Sequence, residues 1–142
     1  MSTAYRLLQA ALVVTGVAAA SLYPLATFWP SGWAWHQGAP YDSMYFMMIV
    51  GVYATLGVFL LNAARKPEDN VSLIWFTVVS SVVHAAIMAV QSFGSDDAMG
   101  HMDHMGHLVG DVPALLLMAV VLAVLVVTAG VGKTAGAYRP AA

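Results

Sequence analysis

Residues 70–95, NVSLIWFTVVSSVVHAAIMAVQSFGS, decide the fold of this chain, because they form an uncharged run of 26 residues. A helix that crosses the hydrocarbon layer of a bilayer needs about 20 consecutive apolar residues, so this run is long enough to span a membrane. Three further uncharged runs, 7–41, 43–64 and 112–132, contain 35, 22 and 21 residues. The sequence therefore predicts four transmembrane helices, at 7–29, 44–64, 71–93 and 108–130.

The composition excludes a water-soluble protein. Of the 142 residues, 61% are apolar and 8% are charged, and the mean hydropathy is +0.79, whereas a soluble domain carries about 25% charged residues. Four spans use nearly the whole chain, so we predict an all-α four-transmembrane-helix bundle that forms a single membrane domain over residues 1–142. No room remains for a catalytic or nucleic-acid-binding domain. The absence of cysteine excludes disulfides and thiolate metal sites.

The positive charges predict the orientation of the bundle. They fall before the first span, between the second and third, and after the fourth: Arg6, Arg65, Lys66, Lys133 and Arg139. With four spans, these three segments lie on the same side of the membrane, and the positive-inside rule assigns that side to the cytoplasm. We therefore expect a bacterial inner-membrane protein with both termini in the cytoplasm. Segments 30–43 and 94–110 then face the periplasm.

Several local signals predict how the helices begin, end and pack. Gly16 and Ala20 lie four residues apart in the first span, a spacing that lets helices approach closely in lipid, so we expect this helix to pack centrally. Pro24 predicts a break near Tyr23, because proline lacks the N–H that a helix requires. Asp42 or Ser43 is a suitable N-cap for the second span. The short connection after it predicts that spans two and three are antiparallel neighbours.

One ionisable side chain, His84, lies near the middle of a span. It belongs to a polar stripe at helical spacing, which we expect to face the bundle interior: Thr77, Ser80 or Ser81, His84, Met88 and Gln91. One interpretation is structural, with a neutral imidazole bonded to a neighbouring helix. The other is functional, with His84, Met88 and Gln91 binding a ligand or His84 handling protons. No Asp or Glu lies well inside a span, which disfavours reactions that need an intramembrane carboxylate.

The segment SDDAMGHMDHMGHLVGD, residues 95–111, concentrates metal-binding side chains. Histidines recur at every third position, alternate with methionines and end beside an aspartate: His101, His104, His107 and Asp111. Imidazole and carboxylate ligands suit zinc or Cu(II), and thioethers favour Cu(I). If the segment is helical, these four residues share one face. Alternatively, Asp111 caps a helix that begins at residue 112, and the histidines lie in a loop. Histidine-rich loops also bind added metals without a biological role.

The stretches VVHAAIMAVQ (82–91) and GHLVGDVPALL (106–116) resemble an uncharacterised family of small four-helix bacterial membrane proteins. The resemblance covers most of the chain and implies the fold and topology only. The matching positions are His84, Gln91, His107, Gly110 and Asp111. These positions fit a shared polar site in which His84 and Gln91 on the third span face His107 and Asp111 at the top of the fourth. The HMDHM stretch looks like a local elaboration, which disfavours metal binding as a role of the whole family.

These observations leave three functional hypotheses. The first is a copper or zinc site formed by His101, His104, His107 and Asp111 on the periplasmic side. The second is a binding site for a hydrophobic small molecule or lipid around His84, Met88 and Gln91. Such a site could also be the active site of an enzyme. The third is a non-catalytic accessory subunit, as a homo-oligomer or in a larger membrane complex. No catalytic signature appears, so the sequence favours binding over catalysis and assigns no catalytic residue.

Overall fold

The computed structural model describes residues 2–28, 40–94 and 107–132, and these residues are almost entirely helical. The α-helices are α1 (Thr3–Ala20), α2 (Leu22–Phe28), α3 (Met44–Ala63), α4 (Val71–Gly94) and α5 (Val112–Ala129). Short 3-10 helices, Pro40–Asp42 and Pro67–Asn70, precede α3 and α4, and a π-helical turn, His107–Asp111, leads into α5. Four helical segments are long and apolar enough to cross a membrane, which confirms the predicted all-α architecture.

The first span is interrupted near the predicted position. The helix begins at Thr3, where the Ser2 hydroxyl accepts a hydrogen bond from the backbone N–H of Tyr5. It ends at Ala20, and α2 starts after Ser21. Pro24 explains the break, because it cannot donate to the carbonyl of Ala20 and its ring clashes with that carbonyl.

The ends of α3 and α5 also follow local chemistry. Ser43 is the N-cap of α3, with its hydroxyl accepting from the N–H of Phe46. At the other end of the chain, α5 stops at Gly130, whose φ of 70° lies in the left-handed region that glycine tolerates. The N–H of Val131 then bonds to the carbonyl of Val126 and closes the last turn.

Helix α1 has the central position that its small residues predict. It packs against α3 on one side and α5 on another, and α4 packs mainly against α5. The predicted neighbours α3 and α4 touch each other at few positions. Connection length alone therefore overestimated their contact, since in lipid the closest packing goes to the helices with small residues at the interface.

The main buried cluster joins four helices near one end of the bundle. All four long helices contribute fully buried side chains to it, for example Leu8 from α1, Leu60 from α3, Ile74 from α4 and Leu122 from α5. Arg6 and the Arg65 and Lys66 pair belong to segments at this same end. We call it the basic end. Lys133 and Arg139 lie outside the described residues.

Two hydrogen bonds tie α1 to the connection between α3 and α4 at the basic end. The Tyr5 hydroxyl donates to Glu68 Oε2 at 2.7 Å, and Gln9 Nε2 donates to the carbonyl of Ala64 at 2.8 Å. Elsewhere the helices expose apolar surface, because only 17% to 28% of the residues in each span are buried inside the chain. That surface is the part of the protein that lipid would cover.

The closest contact between helices is the crossing of α1 and α3. A Cβ atom added to Gly57 would lie 2.5 Å from the carbonyl oxygen of Gly16 and 2.7 Å from the backbone N of Ala20. A Cβ atom on Gly16 would lie 2.9 Å from the carbonyl oxygen of Gly57. Backbone faces backbone here, so no side chain can rotate away to make room.

We expect Gly57→Ala to separate α1 from α3 and to lower the stability of the bundle by about 1–3 kcal/mol, the usual range for overpacking. Gly51→Ala is the matched control in the same helix, because a Cβ atom at Gly51 meets nothing within 4 Å. Thermal unfolding of the two variants in the same detergent measures the difference. Equal melting temperatures for both variants and wild type would contradict the described crossing.

Candidate ligand site between α3 and α4

The lower part of the predicted polar stripe is buried but already satisfied. Thr77 and Ser81 are 1% and 6% exposed. The Thr77 hydroxyl donates to the carbonyl of Leu73 at 2.9 Å, and the Ser81 hydroxyl donates to the carbonyl of Thr77 at 2.7 Å. Both side chains therefore use the backbone of their own helix, and they fill the bundle interior without offering a group to a ligand.

His84 is the first residue of the stripe that reaches another helix. Its Nδ1 lies 2.7 Å from the hydroxyl oxygen of Tyr53 on α3. The two rings meet edge to face, with centroids 6.0 Å apart and an interplanar angle of 70°. Both residues are half-buried. The Tyr53/His84 pair thus bridges α3 and α4, which otherwise touch little.

The chemistry of the two groups assigns the proton between them. A phenol O–H is a stronger donor than a neutral imidazole N–H, and an imidazole nitrogen is a stronger acceptor than a phenol oxygen. The Tyr53 hydroxyl therefore donates to Nδ1, which places the imidazole proton on Nε2. Within residues 2–28, 40–94 and 107–132, no hydrogen bond to Nε2 is found. The pair presents one N–H donor in apolar surroundings.

The other two predicted ligand residues are placed differently from each other. Met88, one turn beyond His84, is half-buried like the histidine. Gln91, two turns beyond it, is exposed, so the inward-facing stripe ends before this residue. The side chain of His107 lies outside the described residues, so the implied meeting of His84 and Gln91 with His107 and Asp111 remains a prediction.

Sequence reasoning missed Tyr53. Tyrosine is common in membrane helices, and six occur in this chain. The signal that could have found it is the register of two antiparallel spans. Tyr53 lies ten residues before the end of α3 and His84 thirteen residues after the start of α4, so the two reach similar depths.

The described carboxylates lie at the ends of helices, away from this pair. They are Asp42, Glu68, Asp69 and Asp111. A paired histidine and carboxylate for proton abstraction is thus absent from the described part of the spans. What the Tyr53/His84 pair can do is donate a hydrogen bond and orient a ligand.

The predicted metal cluster lies mostly beyond the described residues. His101 and His104 fall outside them, and for His107 the structure describes the backbone alone. His107 and Asp111 open and close the same π-helical turn. Among the residues that the structure describes, no three His, Asp or Glu side chains form a metal-binding group.

Asp111 directly precedes α5, as one of the two alternatives from the sequence predicted, but its side chain does not cap the helix. Its backbone is in the right-handed helical region, and its side chain makes no capping hydrogen bond. The reason is that the π-helical turn continues the helix backwards to His107, so residue 111 is no longer at a free helix start.

We expect Tyr53→Phe to destabilise the bundle by about 1 kcal/mol, because a hydrogen bond between membrane helices is worth roughly this amount. In the His84→Phe background the same substitution should have almost no effect, since the acceptor is already gone. Thermal or denaturant unfolding of the four proteins in this double-mutant cycle measures the coupling. Tyr45→Phe, at an exposed position of the same helix, is the control. Additive effects of the two substitutions would contradict the bridge.

Comparison with known proteins agrees with the resemblance seen in the sequence. No curated protein and no solved structure matches the chain. A family of unknown function, DUF6632, has a sequence model that matches residues 2–141. Because the match covers nearly the whole chain, the protein belongs to this uncharacterised family.

Proposed function

We propose that this protein binds a hydrophobic small molecule in the membrane, at the Tyr53/His84 pair. The observation that carries the proposal is the 2.7 Å hydrogen bond between the Tyr53 hydroxyl and Nδ1 of a half-buried histidine. It fixes the imidazole and turns Nε2–H into a donor for a ligand. A histidine inside a membrane span is costly, so a binding role gives its presence a reason.

The geometry indicates the chemical class of the ligand. Nε2–H requires an acceptor, such as the oxygen of a carbonyl group, and the neighbouring surface is apolar. Ile87, one turn beyond His84 on the same face of α4, is 52% exposed, so a ligand beside the pair has apolar surface to cover. Met88 adds a flexible side chain that adapts to irregular shapes. An apolar molecule with one carbonyl oxygen fits these features.

The weak contact between α3 and α4 supports entry from the lipid. The main buried cluster lies at the basic end, and the two helices touch at few other positions. A ligand dissolved in the bilayer would approach the pair sideways between these helices. Most of the affinity would come from buried apolar surface, and the hydrogen bond would set the orientation.

The test compares the apolar molecules that co-purify with wild type, Tyr53→Phe and His84→Phe. Organic extracts of each protein, purified in the same detergent, are compared by mass spectrometry. We expect at least one carbonyl-bearing molecule to be depleted about fivefold in both variants, as expected for the loss of one hydrogen bond. Tyr45→Phe should retain it. Adding the purified molecule back should raise the melting temperature of wild type and of Tyr45→Phe more than that of Tyr53→Phe or His84→Phe.

Identical extracts from wild type and both variants would overturn this proposal. In that case the Tyr53/His84 pair is a structural bridge, and only the coupling in the unfolding experiment would persist. The two experiments therefore separate a binding role from a purely structural one.

A second candidate function is copper or zinc binding at the periplasmic side. It is supported by the histidines at every third position, 101 to 107, by the interleaved methionines and by Asp111 in the adjoining turn. The proposal includes the orientation that the positive charges predict, with both termini in the cytoplasm of a bacterial cell. Cu(I) would use the thioethers, and zinc would use the imidazoles and the carboxylate.

We expect purified wild type to bind one Cu(I) or Zn²⁺ ion. The variant with His101, His104 and His107 all changed to Ala should bind no Zn²⁺, and it should bind Cu(I) more weakly, because only the thioethers remain. Metal content after dialysis measures this.

Because the chain has no cysteine, single cysteines introduced as Ala98→Cys and Lys66→Cys report the orientation of the protein in the membrane. A membrane-impermeant maleimide should label the first alone when added from outside an intact inner membrane. Equal metal content in both proteins, or the reverse labelling, would contradict the proposal.

A further inference from the structure

The basic end carries a surface pocket that the proposed function does not use. Its volume is about 360 Å³, and it lies at the connection between α3 and α4. Five polar residues line it: Asn62, Arg65, Lys66, Asp69 and Asn70. Two cations, one carboxylate and two amides thus share one depression.

The pocket lies at the depth of lipid headgroups. Helix α3 is an uncharged apolar span of 20 residues that ends at Ala63, and the lining residues begin in its last turn. The partly exposed Trp75 follows in the first turns of α4, and indole rings prefer the boundary between headgroups and hydrocarbon. A phospholipid beside α3 and α4 would therefore hold its phosphate near this pocket.

Among the described residues, the side-chain hydrogen bonds around the pocket use Glu68 and Asn70 and leave the charged groups of Arg65, Lys66 and Asp69 available. Glu68, the other acidic residue of the connection, accepts from the Tyr5 hydroxyl on α1. The side-chain N–H of Asn70 donates to the carbonyl of Lys66, which leaves its amide oxygen as an acceptor. Arg65 and Lys66 can therefore hold an anion, while Asp69 and the Asn70 oxygen can accept from a cation.

We infer that this pocket binds the phosphoethanolamine headgroup of a phospholipid. Arg65 and Lys66 contact the phosphate, and Asp69 accepts hydrogen bonds from the primary ammonium. An anionic headgroup such as phosphatidylglycerol brings no positive charge to Asp69, and its hydroxyls can form only neutral-donor hydrogen bonds with the carboxylate, which are weaker than those of an ammonium. A choline headgroup carries no N–H and cannot donate to the carboxylate. The charge pattern of the pocket therefore matches a zwitterionic headgroup with a primary amine.

The test is native mass spectrometry of the full chain with phosphatidylethanolamine, phosphatidylcholine and phosphatidylglycerol of identical acyl chains. We expect phosphatidylethanolamine to bind about tenfold more tightly than the other two, the lower end of the range for one charge-assisted hydrogen bond. Asp69→Asn should reduce its binding to the level of phosphatidylcholine. Arg65→Gln should weaken the binding of both phosphatidylethanolamine and phosphatidylcholine, because both carry the phosphate that Arg65 contacts. These residues are exposed, so the variants should fold normally.

Two controls make the result specific. Arg6→Gln removes a charge at the same end but outside the pocket, and it should leave the preference unchanged. Tyr53→Phe should also keep the preference, so failure of the ligand proposal and failure of this one are distinguishable.

A competition experiment separates a lipid from a free phosphate compound. Soluble phosphoethanolamine at the lipid's concentration should not displace the lipid, since the acyl chains add to the affinity.

Three results would overturn the inference. The first is equal binding of the three lipids to wild type. The second is a preference for phosphatidylethanolamine that survives Asp69→Asn. The third is displacement by soluble phosphoethanolamine, which would show that the pocket takes a free phosphate compound and not a lipid.

Discussion

The close approach of Gly16 and Gly57 determines how the other helices are arranged. Lipid exerts no hydrophobic force between helices, so the contacts that form are those with the closest packing. The glycine crossing joins α3 to α1. Helix α4 packs mainly on α5, and few contacts remain between α3 and α4. The hydrogen bond between Tyr53 and His84 is therefore the main polar link across that boundary.

Polar groups in this bundle have different roles at different depths. In the buried part of α4, the Thr77 and Ser81 hydroxyls bond to the backbone of their own helix. Further along α4, His84 is bonded through one ring nitrogen to Tyr53. At the surface of the basic end, Arg65 and Asp69 line an open pocket. The last two places leave polar groups that face away from the helix backbone.

The sequence predicts well those features that depend on a few neighbouring residues. The number of spans, the break at Pro24 and the Ser43 cap follow from hydropathy and backbone chemistry alone. Partners across the bundle are harder to predict. Gly51 and Gly57 look equivalent along α3, yet only Gly57 meets another backbone. His84 was predictable as an isolated polar group in lipid, whereas Tyr53 resembled any other tyrosine. The sequence left open whether Asp111 caps α5 or lies within a longer helix, because the π-helical turn before it has no local sequence signature.

The sparse contact between α3 and α4 has a mechanical consequence. A membrane protein meets bilayers of different thickness, and helices respond by tilting. In this bundle, α3 packs mainly on α1 and α4 packs mainly on α5, and the two touch each other at few positions. A change in the angle between α3 and α4 therefore breaks few direct contacts between them. A thinner or thicker membrane can thus change this angle at a small cost in packing.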